Sequence, residues 1–297
     1  MIFLPFFLFY LKHFSYICSM FSDSENKREL ARLITTNPMD DLSIIFEAID
    51  RYGFDENTIH LINKHVNNIE NGRTNISRFT IPEHAGLCSA GAPLIGASIV
   101  ASYARTSLEA SNNAGKSQGG GPTNWQIDRY QEQLIEKWAK NARLWIDNSE
   151  QILSNRFGPK IAQGAESKVY YREGDTSVVK ERVSIYSTTQ KALDAIALHN
   201  YLFPETAMRV IAFTRDSDGL MRIVLTQPYV RCLRLATKKE IDELVMAKGF
   251  RDNWSGNVVN YISERLVLED MHPANVFIDV ISSRAICIDC IVKFVNP

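Results

Sequence analysis

The sequence predicts an α+β protein: an all-α N-terminal region, then an antiparallel sheet with one helix, then a reduced second lobe. Three observations carry this. Leu42, Ile45, Phe46 and Ile49 recur at helical spacing, as do Ile59, Ile62, Val66 and Ile69, with Gly72 placed to end the second helix. From Ile161 onward, short β-rich runs alternate with turn residues such as Gly174-Asp175 and Asp216 to Gly219. Finally, Lys180, Asp270, Asn275 and Asp289 stand in or beside runs that otherwise read as buried strand.

The 297 residues suffice for a sizeable core. A net charge of −1 gives no global pull toward nucleic acid or anionic membrane, so neither sequence-specific nucleic-acid binding nor membrane association is expected. Five cysteines, an odd count without framework spacing, suit a reducing compartment and a cytoplasmic protein. Cys287-x-x-Cys290 has no second pair and lies in an expected strand, so no zinc or redox role is assigned to it.

Along the chain, residues 1–21 form an apolar leader whose unbroken run ends at Lys12, short of the roughly 20 residues a bilayer requires. With no basic segment ahead of it and an ordinary soluble beginning at Met20, the favoured reading is an over-extended start. Membrane anchoring is the minor one. Residues 22–72 read as helical and residues 73–124 as a linker or insertion, because small residues and "SNNAGKSQGGGPTN" blur the periodicity. "ASNNAGKS" fits a relaxed phosphate-loop pattern, yet lacks the buried strand before it and the helix after it that such a loop needs. Ile127, Tyr130, Leu134 and Trp138 stripe a helix that opens the third region, residues 125–297.

In that region Gly164 starts a tight loop, with Ser167 and Val169 completing a G-x-x-small-x-V pattern that can lay backbone N–H groups over phosphates and a Val against a purine. Lys180 ends the next strand. The helix "STTQKALDAIALHNYL", two strands, the connector "LTQPYV", "DMHPAN" and "ICID" follow in order. This is the order of a protein-kinase-like nucleotide site. Lys180 would neutralise ATP phosphates, Asn275 and Asp289 would ligate Mg²⁺, and Asp270 would act on the attacking hydroxyl. His272 stands where it could contact the γ-phosphate. Taking Thr226 as the back of the pocket, adenine would meet the Gln227 carbonyl and the Tyr229 amide, with Pro228 between them where no donor is needed.

"GAESKVYY", "VVKE", "LHNYLFPET", "LTQPYV", "DMHPANVFID" and "CID" resemble the kinase-like domain of bacterial polyvalent proteins, carried by phages and conjugative elements. The resemblance covers about Glu132 to Pro297. The "QGAES" loop, which adds Glu166 to the nucleotide-binding set, is similar to the small kinase of the tRNA threonylcarbamoyl machinery. "DxHPxN" is similar to aminoglycoside and choline kinases. The resemblance implies a minimal protein-kinase-like fold with a truncated second lobe and ATP-dependent phosphotransfer, but no acceptor. Three departures qualify it: one Gly in the loop, no clear carboxylate partner for Lys180 (Asp194 and Glu205 are the candidates), and only eight residues after Asp289. Phosphoryl transfer to protein, autophosphorylation included, is the favoured function. A nucleotide-binding pseudokinase or interaction module, AMP transfer and small-molecule phosphorylation are the alternatives. The apolar end Ile286, Ile288, Ile291, Val292 and Phe294 requires cover, expected from the Ile127–Trp138 helix or the helices before it.

Overall fold

The computed structural model describes residues 42–74, 76, 78–114, 121–164, 166–253 and 260–295. The expectations for residues 1–21 lie outside them. The described residues divide into two units between Arg51 and Tyr52. In the first, helix α1 (Leu42–Tyr52) carries the expected apolar stripe. The second begins with α2 (Glu56–Glu70), capped by the Asp55 carboxylate on the Thr58 amide and ended at Gly72, whose φ of 66° no β-branched residue would adopt readily.

Residues 73–124 correct the sequence reading. They hold two helices, α3 (Ile81–Ser89) and α4 (Ala92–Ala114), with Leu94, Ile95, Ile99 and Val100 buried. The small residues taken for linker composition are small because neighbours come close. A Cβ on Gly86 would lie 2.2 Å from the Ala197 carbonyl oxygen, and one on Gly96 would lie 2.5 Å from the Trp138 ring.

Helix α5 (Asn124–Asn141), opened by a Thr123–Gln126 capping box, buries Ile127, Leu134, Ile135 and Trp138. After α6 (Ser149–Phe157) come β1 (Lys160–Gln163), β2 (Ser167–Tyr170), β3 (Ser177–Val183), α7 (Thr189–Leu202), β4 (Arg209–Arg215) and β5 (Met221–Pro228). The five strands form one antiparallel sheet in the order β1-β2-β3-β5-β4. Strand alternation divides it chemically. One face sends Tyr170, Val179 and Val224 into a core with Leu153 of α6. The other carries Val178, Lys180 and Arg182, register partners of Gln227, Leu225 and Ile223. Lys180 is therefore central in β3, not at its end as the sequence suggested.

Helix α7 is the hub. Its first turn is capped from α5, where the Asp128 carboxylate accepts from the Thr189 amide (2.5 Å) and hydroxyl (2.7 Å). Gln131, fully buried, donates to the Ala101 carbonyl of α4 and accepts from the Gln190 amide, joining three helices. The second lobe comprises β6 (Cys232–Leu235), α8 (Lys238–Met246), β7 (Arg251–Asp252), β8 (Tyr261–Ile262), β9 (Leu266–Glu269), β10 (Val276–Asp279), β11 (Ala285–Cys287) and β12 (Ile291–Phe294). They build a three-stranded sheet, β11-β10-β6, and a four-stranded one, β12-β9-β8-β7. The apolar end finds its cover here. β12 pairs with β9, Phe294 meets the Phe79 ring at 6.1 Å, and Glu83 of α3 holds Arg265 just before β9. Among the described residues no single helix is long and apolar enough to cross a membrane.

Candidate functional site

The predicted residues converge where the inner face of β3 meets the segment between β11 and β12. The Lys180 ammonium donates to the Ile288 carbonyl (3.1 Å) and stands 3.9 Å from the Asp289 carboxylate. Asp289 therefore fills the place sought among the helix carboxylates. Asp194 faces the other way, bound by Arg78 at 2.6 Å and by Gln190, and Glu205 is exposed. Burial pulls the Lys180 pKa below its usual range, with Arg182 acting in the same direction and Asp289 opposing.

Arg182 is the member of this charged cluster that sequence reasoning missed. Its guanidinium holds Asp289 at 3.2 Å and approaches Glu166 at 4.0 Å. The signal was present, since residues two apart on a strand share a face. Burial raises the Glu166 pKa; Arg182 lowers it, while Asp289 and Asp270 raise it further, so three carboxylates feel one another across the cleft. Asp289 resists the rise that its burial favours, because Arg182 and Lys180 hold its pKa below the usual carboxylate range.

Asp270 takes a φ of 62°, a left-handed conformation that Asp tolerates better than most residues. Asn275, in the short 3₁₀ turn Pro273–Asn275, donates its amide Nδ2 to the Asp270 carbonyl (3.0 Å) and carboxylate (2.8 Å), which leaves Oδ1 directed elsewhere. His272 accepts from the Ala274 amide at Nδ1 and so presents Nε2–H to Asp270 at 3.3 Å. The Ile288 amide donates to the Asn275 carbonyl, tying this turn to Asp289. Among the eleven sequence candidates, Lys180, Asp270, His272, Asn275 and Asp289 are thus joined in one network, with Glu166 facing it.

The loop and the connector depart from expectation. The Gly164 amide donates to the Ser167 carbonyl (2.9 Å), closing the turn instead of facing a phosphate, although open space surrounds its α-carbon. Val169 pairs with Lys180 across β2 and β3. The Tyr229 amide is engaged by the Thr176 carbonyl at 2.9 Å, and its ring stacks on Tyr171. The Gln227 side chain, not that of Thr226, reaches the back of the cleft, donating to the Ile288 carbonyl (3.0 Å) and to the Thr206 carbonyl (2.9 Å). The assignment made from sequence is therefore displaced by one residue, because a strand read one position out of phase presents its opposite face.

Below the site, burial depresses the His199 pKa to about 4. Unfolded, this imidazole binds its proton near pH 6.5. Its contribution, about 3 kcal/mol, is therefore complete above pH 6.5 and is lost as pH falls toward 4. Asp289 acts with the same sign, while Asp194, raised by burial, opposes it. Urea unfolding at pH 7 and pH 4.5 should show lower stability at the acid value and a flatter profile for His199→Gln. Parallel profiles would contradict the assignment.

A family model described as a serine/threonine/tyrosine kinase found in polyvalent proteins matches residues 128–296, from the second turn of α5 through β12. No curated protein and no solved structure matches the chain.

Proposed function

We propose, for a chain that belongs to the serine/threonine/tyrosine kinases found in polyvalent proteins, ATP- and Mg²⁺-dependent phosphoryl transfer to a protein hydroxyl, autophosphorylation included. One observation carries the reading: buried Lys180 meets half-buried Arg182 and Asp289 in a cluster whose backbone is tied to Asn275 and hence to Asp270. The donor set suits a hard cation. Asn275 turns its NH₂ to Asp270 and leaves a carbonyl oxygen, Asp289 supplies a carboxylate, and Glu166 adds a third oxygen donor within electrostatic range. Asn275 and Asp289 would hold Mg²⁺, which would neutralise phosphate charge and orient the transferred group.

Lys180 and Arg182 would bind phosphate oxygens once Asp289 turns to the cation. His272, with Nε2–H forward, would donate to the γ-phosphate, and Asp270 would orient and accept the proton of the incoming hydroxyl. With Gln227 at the back of the pocket, the adenine edge would fall to the Pro228 carbonyl and the Val230 amide. Gly164, Ser167 and Val169 would form the roof.

A second reading, a nucleotide-binding module without catalysis, is favoured by the inward Gly164 amide and by the hold of Arg182 on Asp289. Parallel reactions with γ- and α-labelled ATP test the choice. Label from the γ-phosphate alone supports the kinase, label from the α-phosphate indicates AMP transfer, and no label with bound ATP leaves the module. Nucleotide binding has its own check. ATP with Mg²⁺ at a hundredfold excess over Kd should raise Tm by about 5–10 °C. Lys180→Ala and Asp289→Ala should each blunt that rise, and undiminished shifts would remove both residues from the site.

A further inference from the structure

Directly beneath Asp289, three residues far apart in sequence bring soft ligand atoms together. His199 of α7, Cys287 at the end of β11 and Cys290 just before β12 place a ring nitrogen and two sulfurs within 4.8 Å of one another, all three residues buried. Tetrahedral zinc, with Zn–S near 2.3 Å and Zn–N near 2.0–2.1 Å, sets its ligand atoms about 3.5–3.8 Å apart, so small side-chain shifts would suffice. The cysteines had been set aside for want of more ligands. A helix 88 residues upstream of Cys287 supplies the third.

The hydrogen bonds around the imidazole select the tautomer that a metal ligand needs. The Thr206 hydroxyl donates to the Cys287 carbonyl at 2.6 Å, so its lone pair faces His199 Nε2 at 3.3 Å. Nε2 therefore carries the ring proton, and Nδ1 points an unprotonated lone pair at Cys290 Sγ, 3.4 Å away. An outer partner that fixes the ring in this way is the usual companion of a ligating histidine. Two further features supply a fourth position. Met271 Sδ lies 3.8 Å from Cys287 Sγ, and a cavity of about 30 Å³ opens onto His199 and Cys290, enough for one water-sized guest.

We propose that His199, Cys287 and Cys290 form a binding site for one thiophilic d¹⁰ cation, Zn²⁺ or Cu⁺. Binding forms two metal–sulfur bonds and one metal–nitrogen bond and releases both thiol protons to solvent. Two thiolates neutralise Zn²⁺, with a cavity water completing its shell; Cu⁺ would take the Met271 thioether instead. The cation would staple α7 to both flanks of Asp289, fixing the carboxylate from below without touching phosphate.

The full chain, stripped of metal and kept reduced under anaerobic conditions, is titrated with Co²⁺ as a spectroscopic stand-in for zinc. One equivalent with sulfur-to-cobalt charge-transfer absorption is expected, displaced by Zn²⁺ and unaffected by excess Mg²⁺. A parallel titration with Cu⁺ against a chromophoric chelator ranks the two cations. Cys290→Ser and His199→Gln should lose the band, and Thr206→Val, which leaves all three ligands in place, should weaken binding by about 10–100-fold. A wild-type chain showing no such band at saturating Co²⁺, or a band that persists in the Cys287→Ser/Cys290→Ser double variant, would overturn the proposal. In that case the cluster is an internally satisfied S–H···N contact. The wild-type spectrum and Thr206→Val decide the matter even where a ligand variant fails to fold.

Discussion

Asp270→Asn should cut phosphate incorporation by about 10²-fold or more while leaving the ATP-induced rise in melting temperature nearly intact. The separation follows from position. Asp270 is bonded to Asn275 and His272, with no direct pair to Lys180 or Asp289 among the described contacts, so in the proposed reaction its charge would serve the acceptor side. Asn is also suited to the left-handed backbone that Asp270 occupies, so the substitution adds little strain. Its amide cannot take a proton from the hydroxyl. Loss of ATP stabilisation in this variant would place Asp270 with the nucleotide instead, and unchanged incorporation would remove it from catalysis.

The second large effect concerns the helices ahead of the sheet. Gly86→Ala should lower stability by about 3 kcal/mol, the upper end of the usual overpacking cost, because the added carbon meets backbone on α7 (the Ala197 oxygen at 2.2 Å and the Tyr201 nitrogen at 2.5 Å), with no flexible side chain to yield. Gly121→Ala, with nothing within 4 Å, is the matched control. By the same reasoning, a chain shortened to begin at Thr123 should aggregate or melt far below the full one, since it loses α3, α4 and the Arg78–Asp194 ion pair. One beginning at Gln151 should fare no better. Equal melting of the Thr123 chain and the full chain would show that the helices are dispensable.

The β-hairpins, α7 and the grouping of Lys180, Asp270, Asn275 and Asp289 were legible because each depends on local pattern or on residue type. What escaped depends on neighbours. The α3–α4 segment read as linker because Gly86 and Gly96 are glycine for contacts with Ala197 and Trp138, which no local window contains. The residue at the back of the cleft was misplaced by one because "LTQP" fixes a connector but not which face of the strand looks inward; the register of Gln227 with Val178 does that. Asp194, at a plausible helical position, was claimed by Arg78 from the misread segment. Arg182 alone could have been found earlier, by carrying the strand period two residues past Lys180.

Helix α7 buries twelve of its fourteen residues, its surroundings shared mainly among the preceding helices and β12. Kinases are commonly switched by moving the equivalent helix toward or away from the lysine strand. Here the swing would tear open a packed interior, and the carboxylate it would deliver, Asp194, is already committed to Arg78. The lever is welded. If the proposed phosphotransfer holds, an on–off decision would fall instead to smaller parts such as the Arg182–Asp289 pair. Control would then lie with side-chain exchange at the proposed phosphate site rather than with the motion of a lobe.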